Sequence, residues 1–291
     1  HVAIITTVVP VHMEHFGSVA AIAEAKAEIF FGLEPDGVAI LNRDNEHYDL
    51  LTTLATERGV ESIVRFGQHG DANVRLLSLD VIDGGSRISA DIMGERIVYK
   101  LAAPGEHLAM NSLAALAGVK CLGGDVAQAA EALATFTAPQ GRGAQSMRSC
   151  PGGSFLLIDE SYNANPASMA AAFKVLANLP ANHVQRRIAV LGDMLELGAN
   201  ADDIHRALNT PIENCAIDAV FCAGVQMRAL FDALDPKRRA GWAESSADLK
   251  DAVIQFVRPG DAITVKGSNG SRMGPLVDAL KQEFPEAIGT E

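Results

Sequence analysis

The 291-residue sequence is poor in cysteine, aromatics and long apolar runs, and each shortage removes a class of protein. Its four cysteines, Cys121, Cys150, Cys215 and Cys222, lie far apart with no CxxC or other metal-like spacing. That argues against a disulfide scaffold and fits reduced thiols in a cytoplasm. No apolar run reaches membrane-spanning length, and no basic-apolar-small leader opens the chain. No membrane insertion and a cytoplasmic location are therefore expected. Positive charge is scarce as well: 24 Lys and Arg against 36 Asp and Glu leave a net charge of -12. Nothing draws such a chain to nucleic acid, so any phosphate chemistry must rest on local cations, amides or metal. Three motifs are missing too. Without GxxxxGK[ST] there is no Walker A loop, without HExxH no zinc-protease helix, and without a GxGxxG opening a helix a nicotinamide dehydrogenase is a weak reading.

What is present is 48% hydrophobic content, enough for two domains with sizeable cores. "HVAIITTVVP" reads as a strand entered partway through a domain. Ser18 is a good N-cap for a helix over residues 18 to 33, followed by a strand in "EPDGVAILNRDN". "VESIVRFGQ", "NVRLLSLDVID" and "SRISADIMGERIVYKLAA" predict a local antiparallel sheet, and two Ala-rich helical stretches follow. Pro, Gly and Ser crowd residues 138 to 154, which places a domain boundary there. Beyond it, the apolar strands "SFLLID", "RRIAVLG", "DAVFCAG" and "DAITVKG" alternate with helical patterns near 166 to 179, 200 to 209, 225 to 234, 246 to 257 and 271 to 283. This is the pattern of a Rossmann-like domain with a mostly parallel sheet, whose ligands sit at the carboxyl ends of its strands. Those ends carry "DESYNANP", "GDMLELG" and "KGSNGS".

Each motif has an ordinary reading beside a functional one. "KGSNGSRM" is either an anion-binding strand-to-helix turn helped by Lys266 or a plain Gly-containing turn. "DESYNANPAS", with Glu160, Asn163 and Asn165, is either a polar site or an Asn-rich capping loop before Pro166. His12, Glu14 and His15 lie in the loop before the first helix, as ligands or as solvated residues. Lys26 falls on the apolar stripe of Val19, Ile22, Ile29, Phe30 and Leu33, so it points toward the core or snorkels out of it.

Taken in order, "PVHMEHFGS", "AKAEIF", "LNRDN", "GEHLAMNSLAALA", "GRG", "DESYNANP", "VLGDMLELG" and "VKGS" resemble a Mur ligase, from residue 1 to about residue 280. "SYNANP" with "KGS" is more narrowly similar to the type that adds D-alanyl-D-alanine to UDP-N-acetylmuramoyl-tripeptide in peptidoglycan synthesis. The resemblance implies an α/β protein. Residues 1–143 would be the second half of a P-loop-type central ATPase domain and residues 144–291 a Rossmann-like C-terminal domain, as a fragment of a longer enzyme that is a monomer at full length. It implies ATP and Mg2+ as cofactors. Lys26 matches the family's carbamylated lysine and His12 its histidine ligand, both at magnesium. A carbamate suits a hard cation, and burial on an apolar face would favour the neutral amine that reacts with carbon dioxide. By the same resemblance Asn111, Asp44 and Glu160 contact the nucleotide, Arg142 lies near the ATP phosphates, and Asn163, Asn165, Lys266 and Ser268 contact the dipeptide. Two departures stand out: Leu108 follows His107 where the family usually has Asn, and Glu160 replaces Asp. The implied reaction is formation of an acyl phosphate, then displacement of phosphate by the amine, with the second domain closing about a hinge at 141 to 153. A sister ligase taking a single amino acid, or a non-catalytic dipeptide- or nucleotide-binding module, are the rival readings.

Overall fold

The computed structural model describes residues 1–10, 16–82, 85–136, 138–180 and 184–287. The chain divides into two compact units, His1–Thr137 and Ala138–Glu291.

The first unit is one six-stranded sheet in the order β1-β2-β3-β4-β5-β6. Its strands are β1 (Val2–Ile5), β2 (Val38–Asn42), β3 (Ser62–Gly67), β4 (Val74–Ile82), β5 (Gly85–Ile92) and β6 (Glu95–Leu101). The first three pair in parallel, and β4, β5 and β6 form an antiparallel meander. The expected antiparallel group therefore starts one strand later than the sequence suggests. "VESIVRFGQ" is β3 and belongs to the parallel set, because helix α2 (Tyr48–Glu57) crosses over between β2 and β3. Helix α1 (Val19–Ala27) and α2 cover one face with a core of Ile22, Phe30, Leu41 and Leu51, while α3 (Glu106–Cys121) and α4 (Val126–Leu133) cover the other with Phe66, Ile88, Leu113 and Leu116.

The first helix is shorter than its apolar pattern. Ser18 caps it as expected, its hydroxyl accepting from Ala21 N at 3.1 Å, but after Ala27 the chain tightens into a 3-10 turn over Glu28–Gly32. The tighter winding carries Ile29 into solvent, and the buried residues are Ile22, Ala23, Ala27 and Phe30. Alanines on most sides of α1 leave the choice of buried face to packing, and Lys26 falls outside it. It is exposed, which overturns the expectation that it points into the core.

The second unit is also a six-stranded sheet, ordered β11-β10-β9-β12-β8-β7. Strands β8 (Gly153–Glu160), β9 (Arg186–Gly192), β10 (Ala219–Ala223), β11 (Arg239–Ala243) and β12 (Asp261–Lys266) are parallel, and β7 (Ala144–Cys150) is an antiparallel edge. Helices α5 (Pro166–Ala177), α6 (Ala201–Ala207), α7 (Asn209–Asn214) and α8 (Met227–Ala233) pack on one face, and α9 (Ser246–Phe256) and α10 (Met273–Glu283) on the other. The α/β, mostly parallel architecture read from the sequence is what the chain adopts. The Pro-, Gly- and Ser-rich stretch is not all linker, however. Residues 144–150 form a full strand against β8, so a hinge cannot run through them. Burial of Arg148, which donates to the carbonyls of Phe284 (2.8 Å) and Lys281 (2.6 Å), fixes that strand to the end of α10. Strand β12 returns to the centre between β9 and β8, so the loops after β8, β9 and β12 meet at the carboxyl edge where the winding reverses.

Candidate active site

In the second unit the motif loops are joined by a small set of hydrogen bonds. Glu160 and Lys266 stand in register at the ends of β8 and β12, and Lys266 Nζ lies 2.9 Å from Glu160 Oε2. Lys266 also donates to the carbonyl of Asn163 at 3.1 Å, so a lysine only 3% exposed has two oxygen partners, as a buried ammonium requires. Ser268, buried, is the central tie. Its N–H donates to Asp193 O (3.0 Å), its Oγ accepts from Leu195 N (2.9 Å), and the same hydroxyl lies 3.4 Å from Ala164 O. One serine therefore bridges all three loops. The neighbouring Asp193 accepts from Met227 N at 2.7 Å and so holds the start of α8 as well.

Asn165 is the N-cap of α5, with Oδ1 2.9 Å from Ser168 N and Ser168 Oγ answering at 3.0 Å from Asn165 N. The capping-loop reading of "DESYNANPAS" is thus correct for Asn165, while Asn163 is exposed and presents its side chain beside the Lys266 contact. Arg142 is exposed and stacks over the Tyr162 ring at 4.2 Å. Gly141 makes that possible: at φ +76 it accepts Tyr162 N–H at 3.1 Å, and a Cβ there would lie 2.9 Å from Tyr162 Cβ. The site offers one guanidinium braced on an aromatic ring, a neutralised Lys-Glu pair and the exposed amide of Asn163.

Behind the loops lies His205, fully buried on α6. Its Nε2 accepts from Met194 N at 3.0 Å and its Nδ1 lies 2.7 Å from Ala201 O, which fixes the neutral tautomer with the proton on Nδ1. Burial lowers its pKa, against the opposing pull of the Ala201 carbonyl, Asp193 and Asp202. Neither His205 nor Tyr162 stands out in the sequence: the first is one of eight histidines on an ordinary helix and the second sits among stronger polar neighbours.

The first unit has its own polar edge at the carboxyl ends of β1, β2 and β3. Asp44 accepts from Gln68 N (2.6 Å) and His69 N (3.0 Å), and Gln68 in turn donates to Glu106 Oε1 at 2.6 Å at the start of α3. Asp44 thus shapes the loop after β3. Gly67, at φ +153, lets the loop pass, since a Cβ there would lie 2.6 Å from Asp44 Oδ2. Asn111 is exposed on α3, five residues beyond Glu106. Leu108, at the position of the missing Asn, packs partly buried against the core. Lys26 is exposed on α1 with its amine open to solvent, and His12 lies outside the described residues together with Glu14 and His15. Among the described residues, no group of three or more His, Cys, Asp or Glu could hold a metal ion.

The sequence and the fold are matched by known proteins. Residues 1–119 match the Mur ligase middle domain, and residues 147–269 match the family's C-terminal domain, described as "Mur ligase, glutamate ligase domain". The chain belongs to the Mur ligase family. It is similar to the UDP-N-acetylmuramoyl-tripeptide--D-alanyl-D-alanine ligases of Escherichia coli (32% identical, 96% of this chain and 60% of the relative) and of Synechocystis (33%, 99% and 59%). It therefore spans about three fifths of the length of the curated relatives it matches. The fold is shared with MurF from Acinetobacter baumannii (TM-score 0.83, 24% identity, 97% of this chain and 59% of that one) and with a MurF ligase from Thermotoga maritima crystallised in complex with ADP (0.80, 21%, 97% and 62%).

Proposed function

We propose that the chain supplies the acceptor half of an ATP-dependent amide ligase that joins D-alanyl-D-alanine to UDP-N-acetylmuramoyl-tripeptide in peptidoglycan synthesis, in the cytoplasm. The observation that carries this reading is the meeting of the "SYNANP", "GDMLELG" and "KGS" loops on Ser268, together with the activity named for its relatives. Domain roles follow: the first unit belongs to the nucleotide-binding domain and the second to the amine-binding domain.

In this reading the carboxylate of the acceptor peptide attacks the γ-phosphate of ATP, and the amine of the dipeptide then displaces phosphate from the acyl phosphate. Both steps bring anions together, so positioned positive charge does most of the work. Arg142, braced on Tyr162, serves that purpose at the phosphates. The Lys266–Glu160 pair sets the floor, with Lys266 orienting the Asn163 backbone so that the Asn163 amide meets the dipeptide. Asn165 and Ser268 act by holding their loops in place, and Asp44 acts by shaping the loop that, with Asn111, faces the nucleotide. Magnesium, when bound, neutralises phosphate charge. Lys26, as a carbamate, and His12 would hold it, and the exposed amine of Lys26 is accessible to carbon dioxide.

The test is phosphate release by the full-length enzyme with ATP, magnesium and the UDP-linked tripeptide, comparing D-alanyl-D-alanine with single amino acids. Release that depends on the dipeptide supports the assignment. Release with a single amino acid moves the protein to a sister ligase, and no release with any amine supports a binding module.

A further inference from the structure

The first unit holds a groove of about 690 Å³ running between α2 and β3. One wall is a helical ladder, Tyr48, Thr52 and Thr56, spaced four residues apart so that all three face the same way. The floor is Ile63 and Arg65, alternate residues of β3 and hence on one face of the strand.

Three observations mark it as more than a surface dent. The first is Thr52. The hydroxyls of Thr53 and Thr56, on the same helix, bond back to the carbonyls of Asp49 and Thr52, each at 2.9 Å. Thr52 Oγ1 makes no such bond: it is buried and has no partner. Buried hydroxyls are nearly always satisfied, so this one marks a wall of the groove that is not packed to its polar optimum. The second is Arg65. Asn73 Oδ1 accepts from both its backbone N (3.0 Å) and its Nε (3.1 Å), and Asp71 lies 3.6 Å from Nη1. The guanidinium is therefore locked in place from one side while its side chain stays about a third exposed (36%) toward the groove. The third is the strand edge. β3 pairs with β4 only at Phe66↔Val74 and Gly67↔Arg75. The N–H and C=O of Ile63 point to the same side as those of Arg65, where no strand of the described residues pairs with them.

We propose that this groove is a binding site for a small organic anion, its carboxylate or phosphate taken by Arg65 and its body lying against Tyr48 and Ile63. Glu61, also in the lining, is four residues from Arg65, about 13 Å along an extended chain, and so confines the anion to the Arg65 end. A fixed guanidinium favours planar, two-oxygen ligands over a spherical ion.

The test is titration of the isotope-labelled 291-residue chain with benzoate, phenyl phosphate, inorganic phosphate and uncharged benzamide, followed by amide chemical shifts. Binding of benzoate or phenyl phosphate in the millimolar range, with shifts at Tyr48, Thr52 and Arg65 and none with benzamide, is the expected result. Benzoate against phenyl phosphate tells a carboxylate ligand from a phosphoester. Arg65→Gln should weaken binding about tenfold, the loss of one charge-assisted pair. Thr52→Val should leave the affinity within about twofold while raising the Tm of the ligand-free chain, because it removes a buried polar atom that has no partner. The inference fails if only inorganic phosphate shifts these amides, if benzamide binds as well as benzoate, or if Arg65→Gln leaves the affinity unchanged.

Discussion

Acidification should loosen the second unit through one residue, His205. Its imidazole has no spare acceptor: Nδ1–H is given to Ala201 O and Nε2 receives Met194 N–H. A proton added at Nε2 would face another donor, break the bond to Met194 and leave a cation in a site with no exposure to water. The pKa is accordingly lowered by burial. The unfolded chain, near the ordinary value of about 6.5, then binds more protons than the folded one below that pH. The stability contributed by neutral His205 is therefore complete above about pH 6.5 and is lost as the pH falls, at no more than about 1.4 kcal/mol per pH unit. Replacing the ring by phenylalanine leaves Met194 N–H unpaired, at about 1–3 kcal/mol, while Ala201 O keeps the backbone bond of its helix. That is a Tm drop of roughly 2–12 °C for a unit of this size. Trp242, the single tryptophan, packs against the same core and reports the transition. Urea unfolding followed by its fluorescence between pH 5 and 8 should show stability falling on the acid side in the native chain. That part of the slope should be missing in His205→Phe. Equal slopes in the two proteins, or a flat native profile, would refute the assignment of the tautomer and its role.

Four further outcomes follow from the same geometry. Lys266→Met should cost about 3–5 kcal/mol in urea unfolding by leaving Glu160 half of a broken, largely buried pair, and adding Glu160→Gln should recover part of it. Ser268→Ala removes the acceptor for Leu195 N–H and should cost about 1–3 kcal/mol, with a loss of ligase activity in the full-length enzyme larger than the stability change explains. Gly141→Ala forces a side chain into a left-handed backbone against Tyr162, so a loss of about 1–2 kcal/mol and a weakened phosphate-dependent step are expected. Lys26→Ala should abolish turnover of the full-length enzyme, with less than about 0.5 kcal/mol lost in unfolding because the side chain is exposed, and a small added carboxylate should restore part of the activity. Rescue by an amine instead would show that a cation was the working species.

The second unit was the more legible half, and the reason is physical. Its central strands are buried on both faces, so "RRIAVLG" and "DAITVKG" carry continuous apolar runs that no loop would tolerate. The edge strands escaped the same reading. β7 is "AQSMRSC", half exposed and polar, and β11 is "RAGWA", with every residue only partly buried, so neither has to look like a core strand. In the first unit α1 is rich in alanine, and a stripe counted over its few large residues put Lys26 on the wrong side. A 3-10 turn cannot be seen in a 3.6-residue period, yet it is what rotated Ile29 outward. The motif loops were legible as positions, whereas their partners were not. Nothing in the sequence pairs Glu160 with Lys266, 106 residues away, until the sheet order brings β8 and β12 together.

The three loops are held mainly through the main chain. Most bonds across the three loops have the main chain on one side: Met194 N, Leu195 N, Ser268 N, and the carbonyls of Asp193, Asn163 and Ala164. A backbone donor or acceptor persists through nearly any substitution, so the geometry depends on a few side chains: Ser268 and Lys266, which tie one loop to another, and His205, which ties the loop after β9 to α6. The residues between them can change while the loops stay put. A residue such as Leu195, which is exposed and enters the network only through its backbone N–H, should then tolerate Leu195→Ala with little change in unfolding free energy. Any effect of that substitution on the KM for the incoming amine would mark its side chain as a contact with substrate.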